Sequence, residues 1–128
     1  MYCVRIPGIE NAANIAEAYR AQEEVGENVV ILGADLRGCE AALHFSRLGR
    51  KVRLVESGPA VAPEAESILR GPLPGRLDEY GVEVILNTTC TAIEHDGVRV
   101  RMTGDINGAE LFIYADTVLV GAGSGQEL

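Results

Sequence analysis

A chain of 128 residues is long enough for one domain with a real core and too short for two. Its 47% hydrophobic and 23% charged residues are those of an ordinary globular protein, while a net charge of −8 and the absence of Trp argue against a nucleic-acid partner, which needs a basic surface or stacking aromatics. No apolar run reaches membrane-spanning length and no signal-peptide pattern opens the chain, so a cytoplasmic location without a membrane partner is expected.

Met1 to Gly8 reads as an extended lead-in, with Pro7-Gly8 marking a turn. Asn11 to Glu24 is rich in Ala and Glu and predicts a helix, ended by Gly26. Its apolar positions are mostly alanines, so it is expected on a surface. Residues 1–27 are accordingly read as an inter-domain lead-in with a surface helix, and 28–128 as the body of the domain. Cys3, Cys39 and Cys90 are odd in number and far apart, no CxxC occurs, and His44 and His95 lack ligand spacing. They read as small thiols in a reducing compartment, with no metal site.

Asn28 to Leu32 is a continuous aliphatic run suited to a strand buried on both faces. Gly33 to Gly38 turns out of it into a helix, Cys39 to Leu48. On that helix Ala41, Phe45 and Leu48, with Gly38 and Ala42 beside them, make an apolar stripe ended by Gly49. Lys51 to Glu56 is the next strand, which completes a βαβ unit of about 30 residues. Beyond a proline-rich loop, short helices are expected at Glu64 to Leu69 and Pro74 to Tyr80, then a strand at Val82 to Leu86. The pattern then changes. Thr89 to Glu94, Val98 to Thr103 and Glu110 to Tyr114 read as an antiparallel meander, with Asp96-Gly97 as its first hairpin turn. Thr117 to Val120 returns to the parallel sheet. The fold expected is α/β and Rossmann-like: a parallel sheet with helices and a three-stranded antiparallel β-meander.

A G-x-G-x-x-G turn between strand and helix serves a phosphate. The first glycine makes the turn, the second leaves room for pyrophosphate, and the third lets the helix pack closely, while the helix N-terminus supplies N–H groups. Gly33, Ala34 and Gly38 fill this pattern, but Asp35 replaces the middle glycine. Aspartate adds bulk and negative charge where an anionic pyrophosphate would sit. Two readings stay open: a nucleotide site of weakened or altered affinity, or a retained fold in which Asp35 satisfies the helix N-terminus itself. Glu56 ends the next strand at the spacing of a ribose-binding carboxylate. A carboxylate accepts both ribose hydroxyls of NAD and repels the extra phosphate of NADP, and Ser57-Gly58-Pro59 adds no Arg to neutralise it. NADH is the cofactor expected. Gly121 and Gly123 follow the last strand and are placed to approach the ligand's other end.

On these residues the chain resembles the NAD(P)-binding subdomain of flavoproteins built from two dinucleotide folds. The likeness is to reductases of the old-yellow-enzyme group with extra C-terminal domains, of the dienoyl-CoA reductase, enoate reductase and trimethylamine dehydrogenase kind. It is carried by Ile6-Pro7-Gly8-Ile9, Val29 to Ala34, Gly38-Cys39-Glu40-Ala41-Ala42, Gly49 to Val52, Leu54-Val55-Glu56, Tyr80-Gly81-Val82 and Ala115 to Val118 before Gly121-Ala122-Gly123. Asp35 departs from the family pattern, and Arg37 stands where an aliphatic residue is usual. The resemblance implies a piece excised from a larger enzyme, whose other domains hold FAD or FMN and an iron–sulfur cluster and are its partners. It also implies a place near the nicotinamide for Glu40, although a Glu in the first helical turn is favoured by the dipole alone.

The function expected is positioning of nicotinamide for hydride transfer to a flavin held elsewhere. No catalytic acid, base or nucleophile is assigned, and Gly123-Ser124-Gly125 is not a nucleophile elbow. Two rivals stand beside it: a degenerate dinucleotide fold acting as a structural or interaction domain, and an ADP-binding domain without turnover.

Overall fold

The computed structural model describes residues 6–62, 71–105 and 107–121. Its elements in chain order are β1 (Ala13–Asn14), α1 (Ile15–Arg20), β2 (Asn28–Leu32), α2 (Leu36–Arg47), β3 (Lys51–Val55), α3 (Leu73–Glu79), β4 (Glu83–Ile85), β5 (Thr88–Glu94), β6 (Gly97–Met102), β7 (Leu111–Tyr114) and β8 (Thr117–Val120). Strands pair in the order β1-β8-β2-β3-β4, all parallel, and β5-β6-β7 form a separate antiparallel sheet. The Rossmann-like architecture with a meander is therefore present, and β8 does return to the parallel sheet, with Ile31 opposite Leu119.

The unbroken apolar run of β2 explains the layering. Alternate strand residues face opposite sides. Val29 and Ile31 pack with Val52, Leu54 and Leu119 against the helices, where Phe45 and Leu77 are buried. Val30 and Leu32 pack with Val55 and Val118 against Ile93, Val98 and Val100 of the meander. Helices, parallel sheet and meander thus make three layers with a core on each side of the middle one.

Helix α2 begins at Leu36, three residues before its expected start, because Asp35 caps it. Gly38, Cys39, Ala41, Ala42, Leu43 and Phe45 form its buried face, whereas Leu48, expected on the apolar stripe, is the C-cap and 44% exposed.

The single helix expected from Asn11 to Glu24 does not form. Ala13 and Asn14 pair with Leu119 and Val120, and α1 starts only at Ile15, under a capping box of Asn14 and Glu17. Strand pairing at the sheet edge overrides the helix propensity of the alanines. Ile15 and Ala18 are core residues, so this short helix is docked rather than superficial. The Pro7-Gly8 turn is present and also packed. Ile93 N–H donates to the Pro7 carbonyl at 2.8 Å, and Gly8, at φ 86°, lies so close that a Cβ would overlap the Ile93 carbonyl. The lead-in thereby covers the outer edge of β5.

Two other glycines act differently from their sequence reading. Gly26 does not stop a helix; it passes Asp116 so closely that a Cβ would meet that residue's Cβ at 2.5 Å, and its N–H donates to Thr117 Oγ1 at 2.9 Å. Gly97 is not a loop residue, since Glu94 pairs with it and the two-residue hairpin loop is His95-Asp96. A side chain at Gly97 would overlap the Ile113 carbonyl of β7. The short helix expected at Glu64 to Leu69 lies outside the described residues. Among the described residues no helix is long and apolar enough to cross a membrane.

Candidate functional site

Strand order reverses at β2, with β3 on one flank and β8 on the other. The crevice beyond the carboxyl ends of such strands is where open α/β sheets take ligands. The structure brings Gly33, Ala34, Asp35, Gly38 and Glu56 together at this end. Buried Gly121 follows β8 at the same end, and Gly123 lies outside the described residues.

Gly33 makes the turn with φ 100°, a left-handed conformation that side chains resist, and its N–H donates to the Val55 carbonyl at 2.8 Å. Gly38 is buried one helical turn further on, where a Cβ would overlap the Gly33 carbonyl oxygen. The first and third glycines of the motif thus meet each other, and their shared contact sets how closely α2 lies on β2.

Asp35 has the extended backbone of an N-cap, and its Oδ1 accepts the Gly38 N–H at 2.8 Å. It therefore occupies one of the helix N-terminal donors that a phosphate would use. Arg37 is exposed on the next turn and makes no ion pair among the described residues.

Glu56 faces the same loop. Its Oε1 accepts the Ala34 N–H at 2.7 Å, and its Oε2 accepts the Gly58 N–H at 2.8 Å. The half-buried carboxylate is fixed at the mouth of the crevice, and each oxygen keeps a further lone pair for a ligand hydroxyl. The loop after Glu56 is clamped down in turn. Ala62, at φ 45°, donates its N–H to the Ala34 carbonyl at 2.6 Å. Gly58 and Ala62 are parts of the site that sequence reasoning missed. Gly58 was legible only as a residue without a cationic side chain, and nothing in an alanine announces a left-handed backbone.

Glu40 lies one helical turn beyond Leu36. Exposed on α2, it lines a groove of about 300 Å³ with Leu36, Leu43, Arg47, Leu73 and Arg76. Its charge, after burial, helps to push the Tyr19 hydroxyl above its ordinary range. A larger groove of about 740 Å³ starts at Pro59, Ala60 and Val61 and runs along Val82, Val84 and Leu86.

These residues fit a dinucleotide in three respects: the Gly33 turn, the close helix seated on Gly38, and an oriented acceptor at Glu56. They resist it in one, the Asp35 carboxylate on the Gly38 N–H.

A family model described as pyridine nucleotide-disulphide oxidoreductase matches residues 2–127. The nitric oxide reductase FlRd-NAD(+) reductase of Klebsiella pneumoniae is 32% identical over 134 aligned positions, covering 95% of this chain and 33% of the relative. A 2-naphthoyl-CoA reductase structure superimposes with a TM-score of 0.82 at 22% identity, over 94% of this chain and 18% of that one. Histamine dehydrogenase from Rhizobium sp. 4-9 gives 0.75 at 26% identity, over 93% and 19%. The chain spans about a fifth to a third of the length of the curated relatives it matches.

Proposed function

The chain belongs to the pyridine nucleotide-disulphide oxidoreductase family, and from that premise we propose that it is the NADH-binding unit of a flavin-dependent oxidoreductase. Membership implies use of NAD(P) and flavin; the choice of NADH and the role in hydride transfer are our reading. When bound, the dinucleotide would supply a hydride for a flavin held by other domains of a longer polypeptide. The chain's own residues bind and orient: Gly33 and Gly38 bring the helix N-terminus to the pyrophosphate, and Glu56 accepts the ribose hydroxyls. The narrower placement in the old-yellow-enzyme group rests on the segments quoted above. The gene product's flanking sequence tests it, through a barrel and a four-cysteine cluster motif.

The observation that carries the reading is the Glu56 carboxylate, fixed by two main-chain donors at the switch point of the sheet. Glu56→Gln keeps the side chain's size and loses the charge. It is expected to weaken NADH about ten-fold or more, the usual effect of removing hydrogen bonds to a charged acceptor. Calorimetric titration of both proteins measures this, and equal affinities would mean that Glu56 only staples the loop.

A second reading is favoured by Asp35. With its carboxylate already on the Gly38 N–H, the domain is complete without a ligand, as an interaction module would be.

A further inference from the structure

Glu56 receives one of its two hydrogen bonds from its own loop, two residues on, and that tight return leaves little space beside the carboxylate. A Cβ added to Gly58 would stand 3.1 Å from Glu56 Oε2 and 3.9 Å from its carboxyl carbon. The first distance is shorter than an unstrained contact of about 3.5 Å. The φ of Gly58 lies outside the left-handed region, so its backbone admits a side chain and the conflict falls on the carboxylate. The loop cannot easily retreat. Asn87 N–H donates to the Gly58 carbonyl at 2.9 Å, and Ala62 N–H to the Ala34 carbonyl at 2.6 Å.

We propose that Gly58 is a positioning residue that sets the discrimination between the two nicotinamide dinucleotides. The proposal rests on the dinucleotide reading of the site. By lending an N–H and lacking a side chain, Gly58 lets the Glu56 carboxylate be held at both oxygens. A carboxylate held at one oxygen turns away from an incoming 2′-phosphate at small cost. Held at both, it cannot turn without breaking a second charge-assisted hydrogen bond, so the phosphate meets a fixed negative charge. Selectivity is a difference of affinities, and here the repulsive element is made rigid. Neither Ser57 nor Pro59 offers a cation to relieve it.

The test is calorimetric titration of NADH and NADPH against the chain, Gly58→Ala, Gly58→Val, and Gly58→Ala combined with Glu56→Gln. Gly58→Ala is expected to reduce the preference for NADH by about three-fold or more, as one of two charge-assisted bonds weakens. Gly58→Val reduces it further. In the Glu56→Gln background Gly58→Ala leaves the ratio unchanged, an outcome that general loosening of the loop does not produce. An unchanged ratio in Gly58→Ala, or equal weakening of both nucleotides, overturns the role of Gly58 while leaving the site intact. Binding of neither nucleotide by the unaltered chain or by Asp35→Gly overturns the dinucleotide reading, and this inference with it.

Discussion

The α-carbon of Gly38 faces the carbonyl oxygen of Gly33 so closely that a methyl group would overlap it. Both partners are main chain, one directly after β2 and the other inside α2, so a clash is relieved only by moving helix from sheet. Gly38→Ala is therefore expected to destabilise the domain by about 1–3 kcal/mol, the usual cost of overpacking. Gly75→Ala in α3 is the control. Nothing lies within 4 Å of its added Cβ, so the domain gains about 0.5–1 kcal/mol from better helix propensity. Urea unfolding of both variants checks the opposite signs.

On the dinucleotide reading, Asp35 sets how strongly the site takes an anion. A carboxylate about 5 Å from a phosphate is repelled by roughly 1–2 kcal/mol after screening, or five- to thirty-fold in affinity. Asp35→Gly removes charge and bulk, so NADH binds more tightly by about that factor while the empty domain loses a few tenths of a kcal/mol with its cap. Asp35→Asn separates the two effects, because asparagine caps as well as aspartate does. Its affinity rises and its stability stays level. Should NADH binding be undetectable in all three proteins, the interaction-module reading replaces the cofactor-binding one.

Cys90 on β5 gives a pH signature. Burial pushes its thiol from 9.0 up to about 11. The folded chain therefore holds the proton that the unfolded chain releases first as pH rises. Its contribution to stability is complete below pH 9.0 and is lost as pH climbs toward about 11. Thermal unfolding of the chain and of Cys90→Ala from pH 8 to 11 isolates this term. The gap between the two proteins shifts against the parent chain as pH rises, and iodoacetamide labels native Cys90 slowly at neutral pH.

Much of this architecture is legible in the sequence. The apolar run of β2, the paired positions of β3 and the short apolar β8 each carry a pattern that burial on both faces requires, and their boundaries match the structure within one residue. Asn11 to Glu24 was misread because composition records propensity, whereas the edge pairing of Ala13 with Leu119 depends on a partner more than a hundred residues away. Gly26 and Gly97 looked like punctuation and are close-approach residues, a role visible only when Asp116 and Ile113 are in place. Gly33, Asp35, Gly38 and Glu56 lie together at one end of the sheet, and their role toward a cofactor is the proposal. Glu40, further along α2, lines a groove with Leu73 and Arg76 of α3 and Leu36 beside Asp35.

The chain alone is expected to be redox-inert. Its sequence shows no four-cysteine cluster motif, and the function proposed above leaves hydride acceptance to a flavin held outside these residues. Purified protein mixed with NADH and a dye acceptor is expected to show no oxidation above buffer, measured by the loss of NADH absorbance. Sustained turnover without added flavin would contradict the division of labour proposed here.

The central claim is that the dinucleotide lies across the loop from Gly33 to Gly38 and against Glu56. Amide chemical-shift mapping of the labelled chain during NADH titration tests it most directly. Saturable shifts are expected at Gly33, Ala34, Asp35, Gly38 and Gly58, of which the Ala34, Gly38 and Gly58 amides donate to the two carboxylates. The same shifts are expected to shrink in Glu56→Gln. Shifts confined to the groove beside Glu40, or none at all at saturating NADH, would contradict it.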